Sequence, residues 1–231
     1  MKIVILTGAG ISAESGVPTF RASDGLWEGH RVEEVATPEG FERNPGLVHE
    51  FYNMRRAQLS QVEPNPAHRA LARLEEHLGE NLTLITQNVD DLHERGGSKR
   101  VLHMHGSLLT AMCNSCGERF RWLGKMSVTS KCPFCKAIGL VRPDIVWFGE
   151  MPYYLGEIEA ALINCDVFVS IGTSGAVVPA AGFVQIAHNC GAHTIEINPH
   201  PTQNAHHFAE QLQGTAGTEV PRWVEKVLAK E

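Results

Sequence analysis

The 231 residues contain no apolar run near the ~20 that a membrane span needs. They also lack a secretory leader pattern, because the chain goes directly into an apolar strand. The expectation is a cytoplasmic protein. Positive charge is short: 20 Lys and Arg stand against 26 Asp and Glu. The resulting net charge of −6 makes the chain as a whole a poor match for nucleic acid, and no such partner is expected. Cysteines number six, and four of them have metal-ligand spacing, which leaves no disulfide framework of the secreted kind. What is plentiful is apolar residue, 43% of the chain, enough for a core and too much for disorder. This length suits one large domain, or one domain with an insertion.

The chain is organised around Leu6–Arg21, LTGAGISAESGVPTFR. A short apolar run leads into Gly8, Gly10 and Ala13, the G-x-G-x-x-A spacing of a backbone turning from a strand into a helix N-terminus, where free N–H groups can hold a pyrophosphate. A strand, a tight turn and a helix start explain the same residues without a ligand. The continuation is too broken by Gly16 and Pro18 for a long crossover helix and reads as a covering loop.

Further strands are expected at Leu82–Thr86, Asp166–Ile171 and His193–Ile197, with a short one at Val101–His103. Helices are expected from Asn44-Pro45 to about Val62, at Ala67–Leu78, Gly156–Asn164 and Ala180–Cys190, and at Val220–Ala229. Alternation of strand and helix reads as a parallel α/β sheet. Its strands end in Thr7-Gly8, Gln87-Asn88, Gly172-Thr173-Ser174 and Asn198, and ligands of open α/β sheets bind outside such carboxyl ends. The acidic residue that should close a second strand ~20 positions after the glycines is absent, which leaves Ser174 and Asn198 as candidates to hold a ribose. Val141–Phe148 reads as extended.

Two segments interrupt this pattern. In the helix after Pro45, Val48, Phe51, Leu59 and Val62 form an apolar stripe, and Tyr52 and Arg55 fall inside it. An inward arginine needs an anion or acceptors, unless it forms an ion pair or runs out to solvent. Arg56 reads as pointing away into solvent. The second segment holds Cys113, Cys116, Cys132 and Cys135, spaced C-x2-C-x15-C-x2-C as in a zinc ribbon. Residues 113–136 carry five Lys or Arg against Glu118, a local charge of +4 that usually means a solvated surface. Cys165 and Cys190 read as core thiols.

Gly8–Arg21, Thr86–Leu92 (TQNVDDL), His105-Gly106, the four cysteines, Phe148-Gly149-Glu150, Gly172-Thr173-Ser174 and Ile197-Asn198-Pro199 resemble, in this order, the signature segments of sirtuins, NAD-dependent protein-lysine deacylases. The resemblance covers essentially the whole chain and is of the bacterial kind. Tyr52-Asn53-Met54-Arg55 matches the Y-x-x-R element of the class III branch, which removes acidic acyl groups such as succinyl. The resemblance implies a Rossmann-like part at 1–28, 63–107 and 141–231, with a small domain made of a helical module at 29–62 and a zinc ribbon at 108–140.

It also implies the chemistry. The acyl oxygen attacks the ribose carbon that nicotinamide leaves, and a general base then activates a ribose hydroxyl. The products are nicotinamide, acyl-ADP-ribose and free lysine. His105 matches the base, since an imidazole accepts a proton at neutral pH. His103 competes but does not precede the glycine. Gln87, Asn88 and Asp90 match the nicotinamide-ribose pocket. Phe20 and Arg21, with Trp27, belong to the covering loop. The NAD contacts expected are Gly8, Ala9, Gly10, Ala13, Phe20, Arg21, Trp27, Gln87, Asn88 and Asp90, together with Gly172, Thr173, Ser174, Asn198 and Ala216. Val146 and Phe148 match the substrate strand, and a succinyl carboxylate would pair with Arg55 and Tyr52, with Ala36 leaving room. One structural Zn²⁺ is expected on the four thiolates. Two other readings remain: a protein mono-ADP-ribosyltransferase, or a nucleic-acid-binding ribbon beside a vestigial NAD site.

Overall fold

A computed structural model describes residues 1–19, the backbone of 26–27, and 29–229. Among these residues the strands are β1 (Ile3–Thr7), β2 (Leu26–Trp27), β3 (His30–Arg31), β4 (Leu82–Thr86), β5 (Val101–His103), β6 (Gly106–Cys113), β7 (Arg119–Arg121), β8 (Val141–Ile145), β9 (Val167–Ile171), β10 (His193–Asn198) and β11 (Glu210–Gln213). The helices are α1 (Ala9–Ser12), α2 (Val32–Val35), α3 (Pro38–Arg43), α4 (Pro45–Gln58), α5 (Pro66–Leu78), α6 (Leu92–Gly96), α7 (Leu155–Ile163), α8 (Phe183–Asn189) and α9 (Ala216–Leu228).

A six-stranded sheet runs β11-β10-β9-β1-β4-β5, every pairing parallel. Parallel sheets are covered on both faces, and β1 shows why its sequence is a continuous apolar run. Ile3 and Ile5 pack with Leu71, Leu74 and Trp223 of α5 and α9 on one side, while Val4 and Leu6 pack with Phe168 and Val184 on the other. The expected strands are therefore present, and β11 is one more. Its sequence, EQLQ, is too polar to stand out because it forms the sheet edge.

The stretch Val141–Phe148 goes elsewhere. Its first part, β8, pairs antiparallel with β6 in a separate three-stranded sheet ordered β7-β6-β8. A second core under this sheet joins Phe41, Val48, Phe51 and Tyr52 to Leu108, Ile145 and Trp147. The helix of the Y-x-x-R element begins as the sequence indicates: Asn44 caps it by accepting from Leu47 N at 3.1 Å, and Pro45 occupies the first turn. Asn65 caps α5 in the same way and also donates to Ile11 O at 2.7 Å, tying α5 to the glycine turn.

Three readings are corrected. Cys165 is buried as a core thiol, but Cys190 is exposed just after α8. The closing helix starts at Ala216 rather than Val220, and its extra turn has the Gly217 amide bound by Glu14 Oε2 at 2.6 Å. Arg56 does not point into solvent. It is buried, its Nε donates to Leu108 O at 2.6 Å and its NH1 to Asn53 Oδ1 at 3.0 Å. The carbonyls of β6 lie within its reach, which an isolated helix cannot reveal.

Candidate functional site

The carboxyl ends of β1, β4, β9 and β10 open into a cleft of about 700 Å³ whose far wall is the second core. Gly8, Ala9 and Gly10 line it from the first turn, and Gly172, Thr173 and Ser174 from the end of β9. These two turns touch. Gly10 N donates to Gly172 O at 2.8 Å, and Gly172 sits at φ +62°, a backbone conformation that favours glycine. The resulting floor carries no side chains where Gly8, Gly10 and Gly172 meet. Asn198 lies beside it, its Nδ2 donating to Thr173 O at 3.0 Å.

On the β4 side, Gln87, Asn88 and Asp90 line the same cleft. Asp90 is buried and accepts from Ser12 Oγ and from Leu92 N, each at 3.1 Å. Burial pushes its carboxyl up from the usual range, and those two hydrogen bonds oppose the shift. Asn88 Nδ2 in turn donates to Ser12 Oγ at 3.1 Å. Ser12 therefore bridges Asn88 and Asp90, although the sequence singles out only the latter two. Its one signal was position, one residue before Ala13 in the glycine spacing.

His105 also lines the cleft. Its Nδ1 lies 3.2 Å from Gln87 O. A carbonyl only accepts, so Nδ1 carries the proton and Nε2 keeps its lone pair. Burial lowers the imidazole pKa, against the smaller opposing effect of the Gln87 carbonyl. His103 is occupied differently. Its Nδ1 faces Asn88 O at 3.1 Å and its Nε2 faces Glu94 Oε1 at 2.7 Å. Burial alone would lower its pKa, but the Glu94 carboxylate raises it overall, and both ring nitrogens face acceptors. A ring so held is no base.

The far wall supplies Tyr52, Arg55, Ala36, Val146 and Phe148. Tyr52 is fully enclosed and Arg55 is 9% exposed, so the arginine does not run out to solvent. Phe148 N donates to Ala36 O at 3.0 Å and Val146 N to His105 O at 2.9 Å, which pins the segment after β8 across the cleft. Ala13 and Ala216 do not line the cleft: Ala13 is exposed on the turn after α1 and Ala216 packs in the sheet core. Phe20, Arg21 and the Trp27 side chain lie outside the described residues.

The cysteines converge. The four Sγ atoms lie within 4.8 Å of one another, with Cys113 to Cys135 at 3.6 Å and Cys116 to Cys132 at 3.8 Å. A tetrahedral zinc with Zn–S bonds of ~2.3 Å needs sulfurs about 3.8 Å apart, so the set fits Zn²⁺. Four thiolates fill its coordination and leave no position for substrate, which makes the ion structural.

Residues 8–179 match the profile of the Sir2 family. The chain belongs to that family. This sirtuin is 55% identical over 229 residues to an NAD-dependent protein deacylase of Salmonella typhimurium, covering 98% of this chain and 84% of the relative. It is 56% identical over 231 residues to one of Vibrio cholerae, covering 99% and 94%. A Sir2 homologue solved with NAD superposes with a TM-score of 0.89 at 42% identity, over 99% of this chain and 90% of that one. A Sir2 protein solved with an inhibitor, 2′-O-acetyl-ADP-ribose and a deacetylated peptide gives 0.80 at 29%, over 98% and 94%. This sirtuin is an NAD-dependent protein deacylase with a four-cysteine zinc site. Its cleft has a side-chain-free floor at the strand ends with buried amide and carboxyl groups beside it, a lining whose chemistry fits NAD.

Proposed function

We propose that this sirtuin removes acetyl groups, and succinyl or similar acidic acyl groups, from lysines of proteins. The products are nicotinamide, acyl-ADP-ribose and free lysine. One observation carries the acidic part of this reading. Tyr52 and Arg55, three residues apart on α4 and both buried, face the same cleft as His105. A guanidinium there can pair with the far carboxylate of a succinyl chain, and a phenol can donate to it.

NAD, when bound, supplies an electrophilic ribose carbon once nicotinamide departs. The chain's residues hold, shield and deprotonate. Gly8, Gly10 and Gly172 let the backbone approach the pyrophosphate, with Ala9 and Thr173 beside them, while Ser174 and Asn198 take ribose hydroxyls. Asn88 and Asp90, oriented through Ser12, face the nicotinamide end with Gln87. His105 Nε2 takes the proton of the ribose hydroxyl that attacks the acyl carbon, with Nδ1–H held by Gln87 O. Val146 and Phe148 line the wall along which an extended peptide adds through its main chain. Phe20, Arg21 and Trp27 belong to the covering loop in this reading. The division into a Rossmann-like part (1–28, 63–107, 141–231) and a small domain (29–62, 108–140) belongs to the same proposal. A thiolate metal site suits a reducing compartment, which supports a cytoplasmic setting.

Mass spectrometry of one peptide carrying acetyl- or succinyl-lysine, incubated with and without NAD, tests this directly. The expected result is loss of both acyl groups, dependent on NAD, with acyl-ADP-ribose in solution. Removal of acetyl alone refutes the acidic part. ADP-ribose retained on protein points to a transferase instead.

A further inference from the structure

Tyr52 has a neighbour that decides where its proton points. The indole Nε1 of Trp147 donates to the Tyr52 hydroxyl oxygen at 2.9 Å, both residues being buried. A tyrosine hydroxyl has one proton and two acceptor sites. Trp147 can only donate, so its hydrogen bond takes an acceptor site and leaves the proton of Tyr52 to turn elsewhere. A hydroxyl that accepts one hydrogen bond also donates a stronger one. Burial pushes the Tyr52 pKa up to about 12, with Arg55 and the Trp147 bond opposing, so the proton is present at neutral pH.

The indole cannot turn freely either. Its backbone N–H donates to Glu150 Oε2 at 2.9 Å. The Arg142 guanidinium covers its face, 3.9 Å from the ring centre. Arg142 is held by both oxygens of Glu150 at 2.8 Å and donates to Ile145 O at 3.1 Å. The Phe41 ring centre lies 5.4 Å away. Glu150, Arg142 and Trp147 thus form a chain of fixed groups ending at the Tyr52 oxygen.

We propose that Trp147 is a positioning residue for acidic acyl groups: its N–H occupies the Tyr52 oxygen and directs the Tyr52 proton into the cleft, toward the acyl carboxylate beside Arg55. The proposal rests on the acidic-acyl reading above. Trp147 sharpens selectivity without touching the reacting atoms.

The test compares kcat and KM for acetyl- and succinyl-lysine forms of one peptide. It uses the wild type, Tyr52→Phe, Trp147→Phe and the double variant, with 3-benzothienylalanine at position 147 as an isostere that keeps the shape and drops the N–H. A net hydrogen-bond contribution of ~0.5–1.5 kcal/mol corresponds to about a two- to tenfold effect. The isostere and Trp147→Phe should raise the succinyl KM by that factor and lower the succinyl-to-acetyl ratio of kcat/KM. In the Tyr52→Phe background the substitution at 147 should leave that ratio unchanged. An equal loss on both substrates, or a shift of the ratio that persists without the Tyr52 hydroxyl, overturns the role of Trp147. If Tyr52→Phe and Arg55→Met themselves leave the ratio unchanged, the acidic-acyl reading fails and the proposal falls with it.

Discussion

Gly10 and Gly172 meet backbone to backbone. The Gly10 N–H donates to Gly172 O at 2.8 Å, and a Cβ placed on Gly10 would lie 2.7 Å from the Gly172 Cα. The neighbour is main chain and cannot step aside as a flexible side chain would. The spacing of the glycines therefore serves first to let the ends of β1 and β9 touch, and the cleft floor is a consequence. Gly10→Ala should cost ~1–3 kcal/mol of stability, the usual penalty of overpacking, and should raise the KM for NAD. Denaturant melts with NAD titration check both. A variant with unchanged stability would mean that the two turns can separate freely.

His105→Ala should fold normally and lose turnover by ~10²–10⁴-fold, the range of a general base. Because burial lowers the His105 pKa, the acidic limb of the pH–rate profile of kcat/KM should fall below the ordinary histidine value near 6.5. A limb at or above that value would place the titrating group elsewhere.

Arg55→Met should lower kcat/KM for a succinyl-lysine peptide far more than for its acetyl form. A hydrogen bond to a charged group is worth ~1.5–3 kcal/mol, or about 10- to 150-fold. Equal losses on both peptides would show that Arg55 supports the wall and does not read the carboxylate.

Zinc removal should act at a distance. Cys113 and Cys132 are buried in a small core with Ala111, Met126 and Val141. Asn53 reaches that core by donating to Met126 O at 2.7 Å and accepting from Met126 N at 2.8 Å. A strong chelator should raise hydrogen exchange in residues 106–141, then loosen α4, and abolish activity until zinc is returned. Full activity in zinc-free protein would contradict this coupling.

Acid should destabilise the protein through one buried histidine. His49 is buried with both ring nitrogens unpartnered, and burial, aided by the Arg56 charge, lowers its pKa from 6.5 to about 4. The unfolded chain therefore binds the proton that the folded chain refuses. His49 contributes stability in full above about pH 6.5 and loses it as pH falls toward 4. Between pH 7 and 5 this single group should cost ~2 kcal/mol. His49→Leu should flatten the pH dependence of chemical unfolding by that amount. An unchanged slope would mean that His49 takes its proton in the folded state.

Much of the fold was legible because its signals are local. The apolar run of β1 reports burial on both faces, Asn44-Pro45 marks a helix start by capping chemistry, and the C-x2-C pairs report a metal by spacing alone. Among the strands that went unread, β2, β3 and β7 span two or three residues each, too few to show a period, and β11 lies at an edge where polar residues are tolerated. Arg56 was misread because helical phase says which way a side chain leaves its helix and not what waits there. Its acceptor, Leu108 O, is 52 residues away.

By itself the sequence determined the family, the parallel sheet, the polar strand ends, the zinc ligands and the pair Tyr52 and Arg55 on one helical turn. These follow from residue type and from spacing along the chain. Only the tertiary structure decided that Ser12 bridges Asn88 and Asp90, that His103 is spent on Glu94 while His105 keeps a lone pair, and that Trp147 holds the Tyr52 oxygen across 95 residues. A hydrogen bond depends on distance and direction at the ångström scale, and packing sets both only once the elements have met.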